Sequence, residues 1–260
     1  MERRRLGTSE LTVPAIGMGT WRTFDTDEDR RPAVEAAVES GIDLFDSSPM
    51  YGRAEATLAR ALEGRRHRVQ VATKIWTASA EEGRGQADHA LRLFGWVDVY
   101  QVHNLVNAPA QLALLDRLKQ EGKVRAVGAT HYQETAFRDL ADLIRTRRLD
   151  MVQIPYNPLR RTAERELLPL AESLGVGVFV MSPLQQGILD RQPPAEQLEA
   201  LGVETWAQAI LKWIASDVRV STVLSATKDL DHARENAAAG NPPFFTPEQR
   251  AIVVRIAERG

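Results

Sequence analysis

The sequence contains no cysteine, and that absence excludes several kinds of chemistry. A chain without thiols forms no disulfide, offers no thiolate nucleophile and holds no metal through sulfur. Long apolar runs are also missing. The run at residues 176–181 is far too short to cross a bilayer, and the N-terminus has no apolar stretch followed by a cleavage site. We therefore expect a cytoplasmic protein that does not associate with a membrane.

An excess of either charge is missing as well. The chain has 33 basic and 35 acidic residues, which give a formal net charge of −2. Without a basic stripe there is little to attract a polyanion, so nucleic acid is not an expected partner. The short basic run at residues 3–6 is predicted to be a solvated N-terminal strand.

Short apolar runs that favour strands alternate along the chain with amphipathic helical segments. There are eight such runs, at residues 15–19, 44–47, 69–74, 97–103, 126–130, 151–154, 177–181 and 220–225. Eight strands that are each followed by a helix, within about 250 residues, are typical of a (β/α)₈ TIM barrel. This pattern predicts an α/β fold of that kind.

A doubly wound open sheet is the competing architecture. It usually has fewer strands in a chain of this length, and its first strand leads into a G-x-G-x-x-G turn. The corresponding segment here is "GMGTWR", which has only two glycines. The barrel is therefore favoured.

Two segments lie outside the eightfold repeat. Residues 3–14 are predicted to form a β-hairpin that closes the bottom of the barrel. Residues 246–259 are predicted to form an extra C-terminal helix, with Thr246 as its N-cap and Pro247 in its first turn. No linker separates these segments from the repeat, so residues 1–260 are predicted to be a single domain.

Polar side chains follow the predicted strands at the end where TIM barrels carry their active sites. Asp46 ends the second strand and Tyr51 lies in the loop beyond it, while Lys74 and His103 end the next two. Each has an ordinary structural explanation: an Asp after a strand is most often a helix cap, and a lone His is more often a core residue than a catalyst. Their convergence on one barrel mouth favours a catalytic site. Further polar residues lie on the later strands or at their ends: Thr130, His131, Gln153 and Ser182.

An acid, a phenol, an ammonium and an imidazole together suit proton transfer to a carbonyl oxygen. A nearby ammonium is expected to lower the pKa of a phenol, and a carboxylate keeps that ammonium charged and oriented. A histidine can then hydrogen-bond the reacting oxygen. Nucleophilic hydrolysis has little support, because there is no cysteine and no G-x-S-x-G. No metal is expected, since the five histidines, at 67, 89, 103, 131 and 232, show no paired-ligand spacing.

A series of motifs resembles the aldo-keto reductase superfamily. In order they are "FDSSPMYG", "VATK", "VDVYQVHN", "VGATHY", "VQIPYNP" and "MSPLQQGIL". The resemblance runs from "RRRLGTSELTVPAIGMGTW" at the start to "EN" at residues 235–236. It implies a (β/α)₈ barrel that binds a nicotinamide cofactor, usually NADP(H), without a Rossmann domain. It also implies a catalytic tetrad with Tyr51 as the proton donor: Asp46, Tyr51, Lys74 and His103.

The resemblance implies a set of cofactor contacts as well. Thr130 and Gln153 would hold the nicotinamide carboxamide, and Met181 would cover the ring. His232 stands where relatives that are committed to NADP(H) often have Arg, so we expect a weaker preference for NADP(H), with NAD(H) as a second cofactor. The full predicted set is Gly19, Thr20, Thr130, His131, Gln153, Met181, Ser182, Leu184, Gln186, Ser225, Thr227, Lys228, His232 and Asn236.

The predicted substrate is a small carbonyl compound, an aldehyde or a reactive ketone. Trp21, Trp76 and Leu105 are expected to line its pocket, which short loops should leave open. Two other functions stay possible on the same scaffold: a nicotinamide-binding regulatory subunit without catalysis, and a redox-neutral lyase or epimerase. A monomer is expected.

Overall fold

A closed barrel of eight parallel strands forms the centre of the molecule, and an N-terminal hairpin precedes it. The computed structural model describes residues 1–185 and 187–259. The hairpin strands are β1 (Arg3–Arg5) and β2 (Thr12–Pro14), and the barrel strands are β3 (Ile16–Gly19), β4 (Leu44–Asp46), β5 (Gln70–Ile75), β6 (Val97–His103), β7 (Val124–Thr130), β8 (Met151–Pro155), β9 (Gly177–Met181) and β10 (Thr222–Ala226). Around the barrel they follow chain order, and β10 pairs with β3 to close it. The predicted TIM barrel is therefore confirmed, with strand ends shifted by at most two residues.

Helices lie between successive barrel strands, and two more follow the last strand. They are α1 (Arg31–Glu39), α2 (Ala54–Ala61), α3 (Ala80–Phe94), α4 (Ala108–Gln120), α5 (Phe137–Arg145), α6 (Leu167–Leu174), α7 (Ala195–Leu201), α8 (Trp206–Ala215), α9 (Leu230–Ala238) and α10 (Pro247–Glu258). Both α7 and α8 lie between β9 and β10, so this connection carries one helix more than the simple repeat. No helix in the described part of the chain is long and apolar enough to cross a membrane.

The hairpin closes the bottom of the barrel, as predicted. Its apolar side chains Leu6, Leu11 and Val13 are buried in one cluster with side chains from inside the barrel. That inner cluster contains Leu44, Ala72, Val99, Ala126, Met151, Phe179 and Leu224. The lower half of the barrel is therefore a packed apolar core, and any functional site must lie above it.

Strand geometry places polar side chains directly above this core. Side chains two residues apart on a strand point to the same face. Asp46 therefore follows Leu44 towards the mouth, and Lys74 follows Ala72. The same step leads from Val99 to Gln101 and on to His103, and from Met151 to Gln153. The apolar layer of side chains inside the barrel is therefore followed, two residues further along these strands, by a polar layer.

The C-terminal helix α10 packs on the outside of the barrel, as an extra helix should. Thr246 and Gln249 form a capping box at its start, in which each side chain bonds to the other residue's backbone N–H. Arg250 then donates a hydrogen bond of 2.8 Å to the Tyr156 hydroxyl, and its guanidinium lies 4.4 Å from the centre of the Trp213 ring. These contacts fix α10 against the segment that follows β8 and against α8.

Candidate active site

A buried ion pair joins the ends of β4 and β5. Lys74 Nζ lies 2.6 Å from Asp46 Oδ2, and the two side chains are 1% and 4% exposed. Lys74 also donates to the backbone oxygen of Ser47 at 2.7 Å. Burial by itself disfavours the ammonium, but the charges of Asp46, Tyr51 and Glu55 and the hydrogen bond to Asp46 outweigh it and raise the pKa of Lys74. Lys74 is therefore charged at neutral pH.

Tyr51 lies beside that ammonium. It ends a short 3₁₀ helix, Pro49–Tyr51, and Lys74 Nζ is 5.2 Å from the centre of its ring. Burial raises the pKa of Tyr51; Lys74 lowers it and Asp46 raises it further, and the net result lies above the ordinary value. The expectation of a lowered phenol pKa is therefore wrong, because burial outweighs the ammonium. The phenol keeps its proton at neutral pH, which a proton donor requires.

His103 completes the group. It is the last residue of β6, and its ring stands perpendicular to the Tyr51 ring at 5.8 Å between centres. Its Nδ1 lies 2.8 Å from the Ser48 hydroxyl oxygen. Burial, followed by the charges of Lys74 and His131, lowers the pKa of His103 to about 3. The imidazole is therefore neutral at physiological pH and can act only as a neutral hydrogen-bonding group.

The structure thus brings Asp46, Tyr51, Lys74 and His103 together at the mouth of the barrel. The arrangement can donate a proton from the phenol and can stabilise the phenolate that remains with the adjacent ammonium. The catalytic role of each residue remains a prediction. Within the described residues, no group of three or more His, Asp or Glu side chains is placed to hold a metal ion.

Gln153 supplies a test of whether a nicotinamide fits this mouth. Its amide nitrogen lies 3.5 Å from Asp46 Oδ2, while its buried Oε1 has no hydrogen-bond partner among residues 1–185 and 187–259. A buried amide oxygen needs an N–H donor, and a carboxamide NH₂ is one. Thr130 sits beside it and donates its hydroxyl to the backbone oxygen of Gln153 at 2.9 Å. These donors and acceptors fit a nicotinamide carboxamide.

His131, which follows Thr130, is half-buried. Its Nδ1 accepts a hydrogen bond from the Gln133 backbone N–H at 3.1 Å, and its ring stacks on that of Tyr132 with 5.4 Å between centres. The Nδ1 is therefore an acceptor, and the neutral ring carries its hydrogen on Nε2. Burial lowers the pKa of His131, and the charge of Asp139 offsets part of that shift. His131 can donate one hydrogen bond.

The other predicted cofactor residues fall into two groups, of which the first surrounds β3 and β9. Gly19 ends β3, and the Thr20 hydroxyl oxygen lies 3.0 Å from both the Asp46 backbone oxygen and Ser47 Oγ. Met181, Ser182 and Leu184 follow one another at the end of β9 and are half-buried. Gln186, also predicted here, lies outside the described residues.

The second group lies between β10 and α9. The Asn236 side chain donates to Ser225 Oγ at 3.3 Å, and both residues are buried, whereas Lys228 and His232 are exposed. Thr227 Oγ1 accepts from the backbone N–H of Asp229 at 3.0 Å. Their roles towards an adenosine phosphate remain predictions.

The first turn of α9 already has an anion at its backbone donors. Asp229 Oδ1 accepts from the N–H groups of Asp231 at 2.9 Å and His232 at 3.0 Å. These hydrogen bonds, that of His232 first, hold the pKa of Asp229 below its usual value. A helix N-terminus can bind phosphate through such donors, and here the Asp229 carboxylate already accepts from two of them.

The predicted substrate residues lie around the mouth. Trp21 and Trp76 are each 42% exposed in the loops after β3 and β5, and Leu105 is half-buried in the loop after β6. Met50 and Tyr132 are also exposed in loops after β4 and β7, and sequence reasoning missed both. We call these five side chains the apolar rim. It can contact an apolar part of a substrate before the carbonyl reaches Tyr51.

Left-handed backbone conformations are concentrated in the loops of the mouth. Among non-glycine residues with positive φ, Arg22, Asn104, Leu105, Asn107 and Ser182 all lie in loops after β3, β6 or β9. This conformation costs residues such as Arg22 and Leu105 roughly 1–2 kcal/mol of backbone energy, and asparagine less. Strain of this kind tends to collect at functional sites, which supports the placement of the site at this end of the barrel.

Several residues that serve the site were not predicted to do so. Gln101 donates to Asp46 Oδ1 at 3.1 Å, and Ser48 contacts His103. Glu55 on α2 is buried, accepts from Thr73 Oγ1 at 2.5 Å, and has its pKa raised by burial. The position of Gln101, two residues before His103 on the same strand face, is the pattern that could have identified it.

Comparisons with known proteins agree with this site and fold. The model of the Aldo/keto reductase family matches residues 15–258. An NADH-specific methylglyoxal reductase of Escherichia coli is 31% identical over an alignment of 228 residues, which covers 73% of this chain and 69% of that protein. A methylglyoxal reductase of the same bacterium is 27% identical over an alignment of 248 residues, which covers 89% of this chain and 87% of that protein.

Solved structures show the same architecture. An aldo-keto reductase of Bacillus halodurans, in its holo form, has a TM-score of 0.80 at 25% identity, covering 98% of this chain and 96% of that one. An aldo/keto reductase of Klebsiella pneumoniae in complex with NADP and acetate has the same fold, with a TM-score of 0.83 at 24% identity over 98% of this chain and 95% of that one. The chain described here therefore belongs to the aldo/keto reductase family and is an NAD(P)H-dependent oxidoreductase.

Proposed function

We propose that this protein reduces aldehydes and reactive ketones to alcohols, with Tyr51 as the general acid. The observation that carries the proposal is the fully buried ammonium of Lys74 beside the protonated phenol of Tyr51. Burial of an ammonium and a phenol costs desolvation free energy, and a lysine or tyrosine at the surface does not incur that cost. In the reverse direction the same groups would accept a proton from an alcohol.

The chain's own groups divide the proton chemistry among them. Tyr51 gives its hydroxyl proton to the carbonyl oxygen, and Lys74 stabilises the phenolate that remains. Asp46 keeps Lys74 charged, and the neutral His103 hydrogen-bonds the same carbonyl oxygen. A bound reduced nicotinamide supplies the hydride that the carbonyl carbon accepts.

Both nicotinamide cofactors are proposed to bind. Gln153, with its unpartnered amide oxygen, and Thr130 would hold the carboxamide, which NADH and NADPH share. The 31% identical relative is NADH-specific, and the Asp229 carboxylate at the start of α9 would repel the 2′-phosphate that NADPH alone carries. These observations support use of NADH alongside NADPH.

The substrate is proposed to be a small, reactive carbonyl compound such as methylglyoxal, or an aromatic aldehyde. Two of the relatives are methylglyoxal reductases. The exposed tryptophans of the apolar rim, Trp21 and Trp76, offer flat surfaces on which an aromatic ring could pack.

Steady-state consumption of NADPH and NADH with methylglyoxal and 4-nitrobenzaldehyde tests the proposal. Tyr51→Phe should lower turnover by about 10²–10⁴-fold, the usual contribution of a positioned acid, while cofactor binding measured by fluorescence is retained. Tyr100→Phe is the matched control, because the Tyr100 hydroxyl is buried in the barrel wall without a hydrogen-bond partner among the described residues. Its loss should leave turnover unchanged.

The outcomes separate the competing functions. Formation of one alcohol per NAD(P)H consumed supports a reductase. Cofactor binding without turnover of any carbonyl would point to a regulatory subunit, and product formation without net cofactor consumption to a redox-neutral enzyme. Equal turnover in Tyr51→Phe and the wild type would remove the phenol from its proposed role.

A monomeric state and a cytoplasmic location complete the proposal. A closed barrel satisfies its own strand edges, which supports the monomer. Light scattering coupled to size-exclusion chromatography tests it against the 28.9 kDa mass of one chain.

A further inference from the structure

Ser48 makes two hydrogen-bonding contacts at the edge of the active site. The residue is fully buried and has an extended backbone, with φ −166° and ψ 147°. Its Oγ accepts a hydrogen bond from the Met50 backbone N–H at 3.2 Å and lies 2.8 Å from His103 Nδ1. The first contact caps the 3₁₀ helix that carries Tyr51. The second joins that helix to the end of β6.

The number of hydrogens available decides the direction of the second contact. A serine hydroxyl has one hydrogen to donate, and a neutral imidazole carries a hydrogen on only one of its nitrogens. Among the described residues, His103 Nδ1 is the one acceptor within hydrogen-bonding distance of Ser48 Oγ. If Nδ1 carried the imidazole hydrogen, the buried serine hydrogen would have no acceptor, at a cost of about 1–3 kcal/mol. Ser48 therefore donates to Nδ1, and the hydrogen of His103 resides on Nε2.

We propose that Ser48 is a positioning residue that fixes His103 in the tautomer with its hydrogen on Nε2. In that form His103 offers an N–H, rather than a lone pair, to the carbonyl oxygen that receives the proton of Tyr51. The opposite tautomer would direct a lone pair at an oxygen that is gaining negative charge. The proposal deepens the proposed reductase function and rests on it. Within residues 1–185 and 187–259 no carboxylate hydrogen-bonds to His103, and the Ser48 hydroxyl is the group that orients the ring from the Nδ1 side.

A purely structural role for Ser48 makes different predictions. As a cap alone, its hydroxyl would affect the stability of the 3₁₀ helix and the position of Tyr51, and its loss would act independently of His103. As a positioning residue it acts through His103. Its removal should then change the tautomer and should cost nothing further once His103 has been replaced.

The tautomer can be measured without substrate or turnover. Nitrogen-15 NMR of histidine-labelled protein distinguishes Nδ1–H from Nε2–H, and the signals of His103 are those missing from His103→Gln. The wild type should show Nε2–H. Ser48→Ala should show a mixture of tautomers or the Nδ1–H form, and Ser48→Thr, whose β-branched side chain suits an extended backbone, should restore Nε2–H. Ser221→Ala removes another buried hydroxyl, one that accepts from the Val178 N–H, and should leave the His103 signals unchanged.

Kinetics supply the second measurement. Ser48→Ala should lower kcat about tenfold with little change in KM, and Ser48→Thr should recover most of that loss. In the His103→Gln background, Ser48→Ala should change kcat by less than about twofold. An Nδ1–H tautomer in the wild type would overturn the proposal, and this result does not depend on whether Ser48→Ala folds. The proposal would also be overturned if the losses in kcat from Ser48→Ala and His103→Gln multiplied in the double variant. If the wild type shows Nε2–H but reduces no carbonyl, the proposed function fails while the assignment of the tautomer stands.

Discussion

Lys74 Nζ lies 2.6 Å from Asp46 Oδ2 inside the barrel, where neither side chain is more than 4% exposed. In such a pair each charge compensates the burial of the other. Removal of one partner from a buried pair costs about 3–5 kcal/mol, because the other charge is left without compensation. Gln101 adds a hydrogen bond to the second carboxylate oxygen, at 3.1 Å from Oδ1. The carboxylate is thus enclosed by donors from neighbouring strands.

Asp46→Asn should reverse the pH dependence that Lys74 gives to stability. In the wild type the folded pKa of Lys74 is above the unfolded value, so its stabilising contribution is full below about pH 10.4 and is lost as pH rises through the folded pKa. In the variant, burial remains while the main favourable charge is gone, so the pKa of Lys74 should fall below the unfolded value. Stability of the variant should then increase with pH between that lowered pKa and about pH 10.4.

Urea denaturation at pH 7, 8, 9 and 10 checks this expectation. The gap in unfolding free energy between Asp46→Asn and the wild type should shrink as pH rises. Asp116→Asn is the control, because Asp116 pairs with Arg148 on the surface, and its gap should be small and constant. A constant gap for Asp46→Asn would show that Lys74 stays charged without its partner.

His103 should make the protein sensitive to acid. Its folded pKa of about 3 lies below the unfolded value of about 6.5, so the unfolded chain binds the proton first. Stability is then full above about pH 6.5 and is lost as pH falls towards 3, by about 1.4 kcal/mol per pH unit. At pH 4.5 this amounts to about 3 kcal/mol.

Thermal and urea unfolding of His103→Gln at pH 7 and pH 4.5 measures that contribution. The variant should lose less stability than the wild type between the two pH values, by roughly the amount above. His89→Gln, at an exposed position on α3, should behave like the wild type. If all three proteins lost the same stability between pH 7 and pH 4.5, the pKa of His103 in the folded state would not be lowered.

Much of this molecule could be predicted from its sequence because the barrel repeats a simple pattern. Eight apolar runs predicted eight strands, and the residues after them predicted the mouth, since parallel strands all end on one side. Tyr51 and Lys74 were placed together by that topology alone. The extra helix α7 was not predicted, because its short segment does not change the alternation of strands and helices.

The features that were not predicted from the sequence depend on how deeply a side chain is buried and on which hydrogen bonds it makes. The pKa of Tyr51 was expected to fall because Lys74 is near, yet it rises because the ring is buried. The depth of burial of a side chain cannot be predicted from the spacing of residues. The bond from Ser48 to His103 joins residues 55 positions apart. Asp229 was not singled out in the sequence, and only the structure shows which backbone donors it occupies.

Gly7 should tolerate no side chain. It lies in the turn of the hairpin that closes the barrel, with φ +55°, and a Cβ there would be 2.3 Å from the backbone oxygen of Gly175. Backbone on the far side cannot move away as a flexible side chain could. Gly7→Ala should therefore destabilise the protein by about 3 kcal/mol or more, combining left-handed strain with overpacking.

Gly64→Ala separates these two effects. Gly64 has φ +75° but nothing within 4 Å of its Cβ position, so only the conformational cost of about 1–2 kcal/mol applies. The midpoints of urea denaturation for the two variants should differ accordingly. Equal destabilisation would imply that the hairpin moves away from the barrel to accept the methyl group.

Asp229 should limit the affinity for NADPH more than that for NADH. Its carboxylate bonds to the first N–H groups of α9, beside the exposed Lys228 and His232 that would otherwise favour a phosphate. Replacement by Ser keeps a capping side chain but removes the charge. Asp229→Ser should therefore tighten NADPH about five- to tenfold and leave the dissociation constant of NADH unchanged, because NADH lacks the 2′-phosphate.

Fluorescence titrations of both reduced cofactors measure these constants. In the wild type we expect NADPH to be favoured over NADH by less than about a hundredfold, or roughly 2.7 kcal/mol. Asp231→Ser is the matched control, since Asp231 is exposed two residues further along and pairs with Arg234 at 2.9 Å. A larger preference for NADPH in the wild type would show that Lys228 and His232 overcome the carboxylate. If Asp229→Ser lowered the dissociation constants of NADPH and NADH equally, the carboxylate would act on a part that both cofactors share, and not on the 2′-phosphate that NADPH alone carries.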